Sequence, residues 1–302
     1  MSKTPEFSPE KIKNLTQDRV EKETEKIPDG ERLFQGEVIV KSKGIYTRAH
    51  FYKHPKSGKE VYLIGTIHVG DKRYYDQIAE ILQKCDVVIH EEGVHPQKQA
   101  ENTPQKVTKR GHEWRKELLH KLNNDNIDDA FDAAMRSYFF AAYEYLKGVS
   151  ESDSFDTTAP NWVSGDSKWQ HRIESDPEIL KLFDKKLRRV WQSVSQEQKR
   201  AAIEYARVSL ERMQRGQFIK KDMGKGLVNL WGDERMVKDL TSVIGTERDE
   251  EVFHTLDTVT QERDPTRIGI KFGALHTAYQ RKLLEQRGYK EIGSQEICSL
   301  LF

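Results

Sequence analysis

Residues 61–68 read VYLIGTIH, an apolar, β-branched run that ends in a glycine, two further residues and a histidine. The same arrangement returns at residues 268–276, IGIKFGALH, and a third apolar run at 86–93, DVVIHEEG, leads into two glutamates. Each of the first two runs is followed by residues with helical spacing. This alternation predicts an α/β protein with a parallel or mixed central sheet flanked by helices.

The ends of these three runs carry the candidate site residues. Ligands of open α/β sheets bind outside the carboxyl ends of the strands, and here those ends carry His68, His276, Glu91 and Glu92. A neutral imidazole can bind a divalent metal or take a proton near pH 7, and a carboxylate beside it can orient the ring, bind the metal or act as a base. Strand alternation puts Glu91 and Glu92 on opposite faces, so only one of them is expected to enter the site. The alternative that the histidines only cap helices stays open.

Further supporting positions lie close to these strand ends. A glycine stands three residues before each histidine, at Gly65 and Gly273. Glycine lets the backbone bend sharply and lets a substrate approach closely. The short segment 161–166 is a candidate strand that ends in a carboxylate, Asp166.

The composition excludes several classes of function. The chain has 302 residues and a net charge of +1, from 50 basic and 49 acidic residues, so no global field attracts nucleic acid or an anionic membrane. No stretch approaches the roughly 18 apolar residues of a membrane span, and residues 1–26 lack the apolar core of a secretory signal. Two cysteines form neither a disulfide framework nor a thiolate metal cage. We therefore expect a cytoplasmic protein without nucleic-acid or membrane partners.

The sequence predicts one domain with an arm and an insertion. Residues 1–30 form a charged N-terminal arm that ends at the turn signal PDG. Residues 31–302 form the α/β domain. Helical spacing within about 100–230 predicts a helical insertion over the C-terminal edge of the strands.

At these residues the chain resembles the TraB/PrgY, GumN and TIKI superfamily. YLIGTIHV at 62–69 is similar to its G-T-x-H signature, VVIHE at 87–91 to its apolar strand that ends in glutamate, and IKFGALH at 270–276 to its closing G-A-x-H. DERM at 233–236 resembles an R-N/D-x-x-M element, although the arginine of that element falls on Gly232.

The resemblance implies a hydrolase that acts on a peptide or other small acyl substrate. In this interpretation His68, Glu91 and His276 bind a divalent ion, and water bound to the ion attacks the carbonyl. Two histidines with a carboxylate suit manganese or cobalt better than a metal that prefers thiolates, so these ions are expected before zinc. Asp233 or Arg235 is expected to support the site.

Two alternatives come from the same resemblance. The pair Glu92-Gly93 also looks like the E-G of the related erythromycin-esterase clan, which implies a metal-free esterase in which histidine and glutamate activate water directly. The PrgY branch implies a non-catalytic module that binds and sequesters a peptide. The predicted middle helices carry no specificity signal that names the substrate, and the sequence leaves the oligomeric state open.

Overall fold

The computed structural model describes residues 31–68, 70–91, 115–145 and 154–302. A mixed sheet with helices on both faces forms its centre, which confirms the predicted α/β class. The predicted arm at 1–30 lies outside the described residues. The strands are β1 (Glu31–Leu33), β2 (Val38–Lys41), β3 (Gly44–Lys53), β4 (Glu60–Thr66), β5 (Val87–His90), β6 (Trp162–Ser164), β7 (Arg267–Gly273) and β8 (Lys290–Leu301).

The strand order brings the two G-x-x-H strands side by side. The order is β1-β2-β3-β4-β7-β5-β6, and β8 pairs with β3. Strands β4, β7, β5 and β6 are parallel, whereas β1 to β4 and β8 pair antiparallel. The register of β4 against β7 ends at Thr66 opposite Gly273. Strand β7 therefore separates β4 from β5, which the sequence presents as a consecutive β-α-β unit.

Most of the described helices lie between β5 and β7 along the chain. The predicted insertion ended near residue 230, but the helices that separate β6 from β7 continue to Arg263. A further helical segment covers residues 115–122. The labelled helices are α1 (Lys72–Leu82), α2 (Ile127–Tyr145), α3 (Ser167–Ser175), α4 (Pro177–Ser193), α5 (Gln196–Gln214), α6 (Lys220–Trp231), α7 (Glu234–Ile244), α8 (Thr246–Arg263) and α9 (Ala274–Gln286).

Both faces of the parallel strands are buried. Leu63 and Ile89 pack with Phe253 of α8 and Leu284 of α9 on one face. On the opposite face, Ile64 and its neighbours pack against α1. Strands covered on both sides are expected to be continuously apolar, as these are. Helix α1 forms because its apolar residues recur at helical spacing, which buries Tyr74, Tyr75, Ile78, Ile81 and Leu82 in one stripe.

The remaining helices cover the carboxyl edge of the sheet. One apolar cluster joins α2, α4, α5, α6 and α7 to β1, β2 and the start of α9. Within the described ranges, no helix has the length and apolar character needed to cross a membrane.

Candidate functional site

The carboxyl ends of β4, β5 and β7 open into one cavity of about 420 Å³. His68, Glu91, Gly273 and His276 all line it. The structure thus brings together residues that are up to about two hundred positions apart in the chain, as the strand-end argument predicts.

Glu91 follows the last residue of β5 and is fixed at both carboxylate oxygens. Its backbone N–H donates to the carbonyl of Lys271 at 3.0 Å, which extends the pairing of β5 with β7. Oε2 accepts a hydrogen bond from the backbone N–H of Gly273 at 2.8 Å. Oε1 lies 2.8 Å from Nη1 of Arg248. The carboxylate is therefore held at the sheet edge in a single orientation.

The two predicted glycines have different structural roles. A Cβ at Gly65 would lie 2.5 Å from Thr277 Oγ1 and 3.2 Å from the Cα of Ala274, so glycine is needed for α9 to approach β4. A Cβ at Gly273 would lie 3.4 Å from Glu91 Oε2 and 3.6 Å from His68 Nε2, which are ordinary contact distances. The space beside Gly273 is thus bounded by the predicted carboxylate and by one predicted imidazole.

His276 lies in the first turn of α9 and is buried. Its Nδ1 lies 2.9 Å from Oδ1 of Asp249, a fully buried carboxylate that also accepts from Gln280 Nε2 at 2.7 Å. Its Nε2 lies 3.9 Å from Glu91 Oε1 and 3.5 Å from Arg248 Nη1. A carboxylate on Nδ1 fixes the orientation of the ring and directs Nε2 toward the cavity.

The charges around His276 favour the imidazolium. Burial is the largest single influence and lowers the pKa of His276, but the attraction and hydrogen bond of Asp249, together with Glu91, raise it above its ordinary value of 6.5. His276 therefore keeps its second proton to a higher pH than an ordinary histidine.

This raised pKa predicts a pH-dependent contribution to stability. The contribution of protonated His276 is fully present below its ordinary pKa and is lost as the pH rises through the raised folded-state pKa. We expect the difference in unfolding free energy between the wild type and His276→Asn to shrink as the pH rises from below the ordinary histidine pKa of 6.5 into the alkaline range. Urea unfolding across this range measures it. A difference that grows with pH would contradict the assignment.

Arg248 was not predicted, yet it connects two of the predicted carboxylates. Besides Glu91 it contacts Asp166, with Nη2 2.5 Å and Nε 2.6 Å from Oδ2. Asp166 is completely buried at the start of α3. Burial lowers the pKa of Arg248 most, but Glu91 and Asp166 raise it beyond its ordinary value, so the guanidinium stays charged. The Arg248 guanidinium is therefore a permanent positive charge at this site.

Asp233 and Arg235 lie elsewhere. Asp233 is the N-cap of α7 and accepts from the backbone N–H groups of Arg235 and Met236 at 2.9 and 3.0 Å. Arg235 is exposed, and neither residue lines the cavity. The R-N/D-x-x-M pattern also fits residues 248–252, RDEEV, with valine in place of methionine. That second segment contributes the Arg and Asp that reach the site. Glu92 lies outside the described residues.

The described side chains at this site do not form a metal-binding group. Among the residues that the structure describes, no three His, Cys, Asp or Glu side chains are grouped to hold a metal. The reason is Arg248, whose guanidinium contacts Glu91 and Asp166 and lies 3.5 Å from His276 Nε2. It occupies the position between these groups that a metal ion would need.

Comparison with known families agrees with the motifs at this site. The model of the TraB/PrgY/gumN family matches residues 51–291. The chain belongs to the TraB/PrgY/gumN family. Neither the comparison with curated proteins nor that with solved structures gives a match. In this TraB/PrgY/gumN protein the matched region contains both G-x-x-H motifs, Glu91, and the Arg248-Asp249 pair.

Proposed function

We propose that this protein is a hydrolase that cleaves a peptide or other acyl bond with a water molecule beside Gly273. One observation carries the proposal. Glu91 Oε2 and His68 Nε2 both border the same space, 3.4 and 3.6 Å from the position of a Cβ at Gly273. A carboxylate and an imidazole that bound one space can orient and deprotonate a water molecule between them.

The other charged groups supply electrostatic stabilisation. As the water oxygen attacks the carbonyl carbon, His68 takes one proton of the water. The other O–H of the water donates a hydrogen bond to Glu91. Negative charge then develops on the carbonyl oxygen, where the Arg248 guanidinium and the ring N–H of His276 stabilise it. When the bond to the leaving group breaks, His68 returns the proton to that group. The reaction consumes one water and releases a carboxylic acid.

The proposed reaction does not use a divalent metal ion. His68, Glu91 and His276 could bind manganese or cobalt only if Arg248 left Glu91, which it contacts at 2.8 Å. We expect elemental analysis of the purified protein to find no stoichiometric transition metal. Stoichiometric manganese or cobalt, with loss of turnover on chelation, would instead support the metal-dependent reaction.

The proposal is tested by turnover. The purified chain is assayed against p-nitrophenyl esters, the corresponding anilides and a fluorogenic peptide library, with Glu91→Gln as the matched inactive variant. Hydrolysis that Glu91→Gln lowers by about a hundredfold or more supports the proposal. Tight peptide binding without turnover would favour a sequestering module instead.

The two histidines are expected to respond differently to substitution. His68 is exposed at the cavity mouth, so His68→Ala should lower kcat/KM by about a hundredfold and change the unfolding free energy by less than about 0.5 kcal/mol. The control is His254→Ala, an exposed histidine of α8 outside the cavity, which should change neither quantity. If His68→Ala keeps full turnover, the base must be another group.

A further inference from the structure

The cavity extends from Gly273 into the helical layer. Away from the charged groups its walls come from four helices and consist mainly of Met135, Leu187, Trp191, Leu227, Trp231 and Leu240. Five of these six side chains belong to the buried core, and Leu187 packs against them.

An open volume between such side chains requires an explanation. Protein interiors are normally close-packed, and a cavity bounded by leucine, methionine and tryptophan loses contacts on its empty side. Apolar pockets with a few convergent polar groups are typical ligand sites. Here the polar groups His68, Glu91, Arg248 and His276 converge at one end. Asp132 and Arg136, which also line the cavity, pair with each other at 2.8 Å.

The orientation of a substrate follows from the exposure of the two histidines. His68 is exposed and marks the mouth, whereas His276 is buried beside the apolar walls. A group released at the mouth can leave for solvent while the other part of the substrate stays among the helices. The apolar part of the substrate is therefore the acyl side of the bond that is cleaved.

We propose that the substrate carries an unbranched apolar acyl chain, which this chamber binds while its carbonyl lies beside Gly273. This proposal rests on the proposed hydrolase function and names its substrate class. A methylene takes roughly the volume of a water molecule, about 30 Å³, so a chamber of about 420 Å³ has room for about 14 such groups, enough for a chain of about eight carbons with its carbonyl and a water. Each buried methylene should raise kcat/KM about fourfold until the chamber is full.

The test compares a series of p-nitrophenyl esters from acetate to dodecanoate. The wild type should prefer octanoate over acetate. Leu187→Trp should fill part of the chamber, since Leu187 lines it and is only partly buried. We expect the ratio of kcat/KM for octanoate to kcat/KM for acetate to fall at least about tenfold. The control Leu182→Trp lies on the same helix, 53% exposed, and should leave the chain-length profile unchanged.

Direct binding separates this inference from the proposed function. Calorimetry with sodium octanoate should show binding to the wild type and at least about tenfold weaker binding to Leu187→Trp. Turnover of esters without any chain-length preference would overturn the acyl chamber and leave the hydrolase. If octanoate binds, Leu187→Trp weakens this binding and no ester is hydrolysed, the acyl chamber is supported and the hydrolase function is overturned. The absence of both octanoate binding and ester turnover would overturn the acyl chamber and the hydrolase function.

Discussion

Replacement of Arg248 by alanine is expected to lower the free energy of unfolding by about 3–5 kcal/mol, because it leaves two carboxylates at the site without their cation. Asp166 is fully buried and Glu91 nearly so, and Arg248 contacts both. Removal of one partner of a buried ion pair costs more than the pair contributes, since the remaining charge stays desolvated. Urea unfolding at neutral pH, followed by circular dichroism, measures the loss.

A surface arginine provides the matched control. Arg172 pairs with Glu247 at 2.7 Å, also between α3 and α8, but the two side chains are 49% and 65% exposed. Arg172→Ala should therefore cost less than about 1 kcal/mol. Asp166→Asn in the Arg248→Ala background should recover part of the loss, because it removes the buried charge. Equal costs for the two arginine variants would mean that the buried ion pairs do not form.

The second large effect is expected from a single methyl group. Gly273→Ala places that methyl in contact with Glu91 Oε2 and His68 Nε2, in the space where the proposed reaction takes place. The backbone of Gly273, with φ −55° and ψ 141°, accepts alanine without strain. We expect kcat/KM to fall about a thousandfold, since both the water and the carbonyl lose their position, while the unfolding temperature hardly changes.

The control for this variant is Gly293→Ala in β8. A Cβ there would meet only Phe51 Cδ2, at 3.9 Å, so the same substitution adds a methyl without filling a site. Turnover and thermal unfolding should both match the wild type. If Gly273→Ala remained fully active, the water would have to lie elsewhere in the cavity, and the proposed roles of His68 and Glu91 would fail together.

The features that the sequence predicted correctly are those with a local physical signature. An apolar β-branched run followed by glycine and helical spacing marks a buried strand and its exit, and the carboxyl ends of parallel strands share one edge. The common position of His68, Glu91 and His276 at one cavity follows from that logic. The segment 161–166 shows the same logic, because β6 is followed by the buried carboxylate of Asp166.

The residues that were missed have no such signature. Arg248 and Asp249 stand at the start of α8 in the segment TERDEE, whose charges look like a solvated first helical turn. Their contacts with Asp166 and His276 join positions 82 and 27 residues apart, which no local period reports. Asp233 was selected instead because DERM at 233–236 resembles the R-N/D-x-x-M element, whereas in the structure this aspartate caps α7. The strand order could not be predicted from the sequence either, because the pairing of β7 with β4 and β5 depends on contacts across the whole domain.

The position of β7 has a consequence for the newly made protein. During translation β4 and β5 are made long before β7, which comprises residues 267–273. Each of these two strands therefore has one unpaired edge until β7 is complete. Such edges can pair with strands of other molecules, and a chaperone that binds nascent chains would protect them. The same order of synthesis means that no partial product holds both histidines and the arginine in place. The proposed hydrolysis would therefore begin only after β7 has formed, and a chain cut short before β7 should show none.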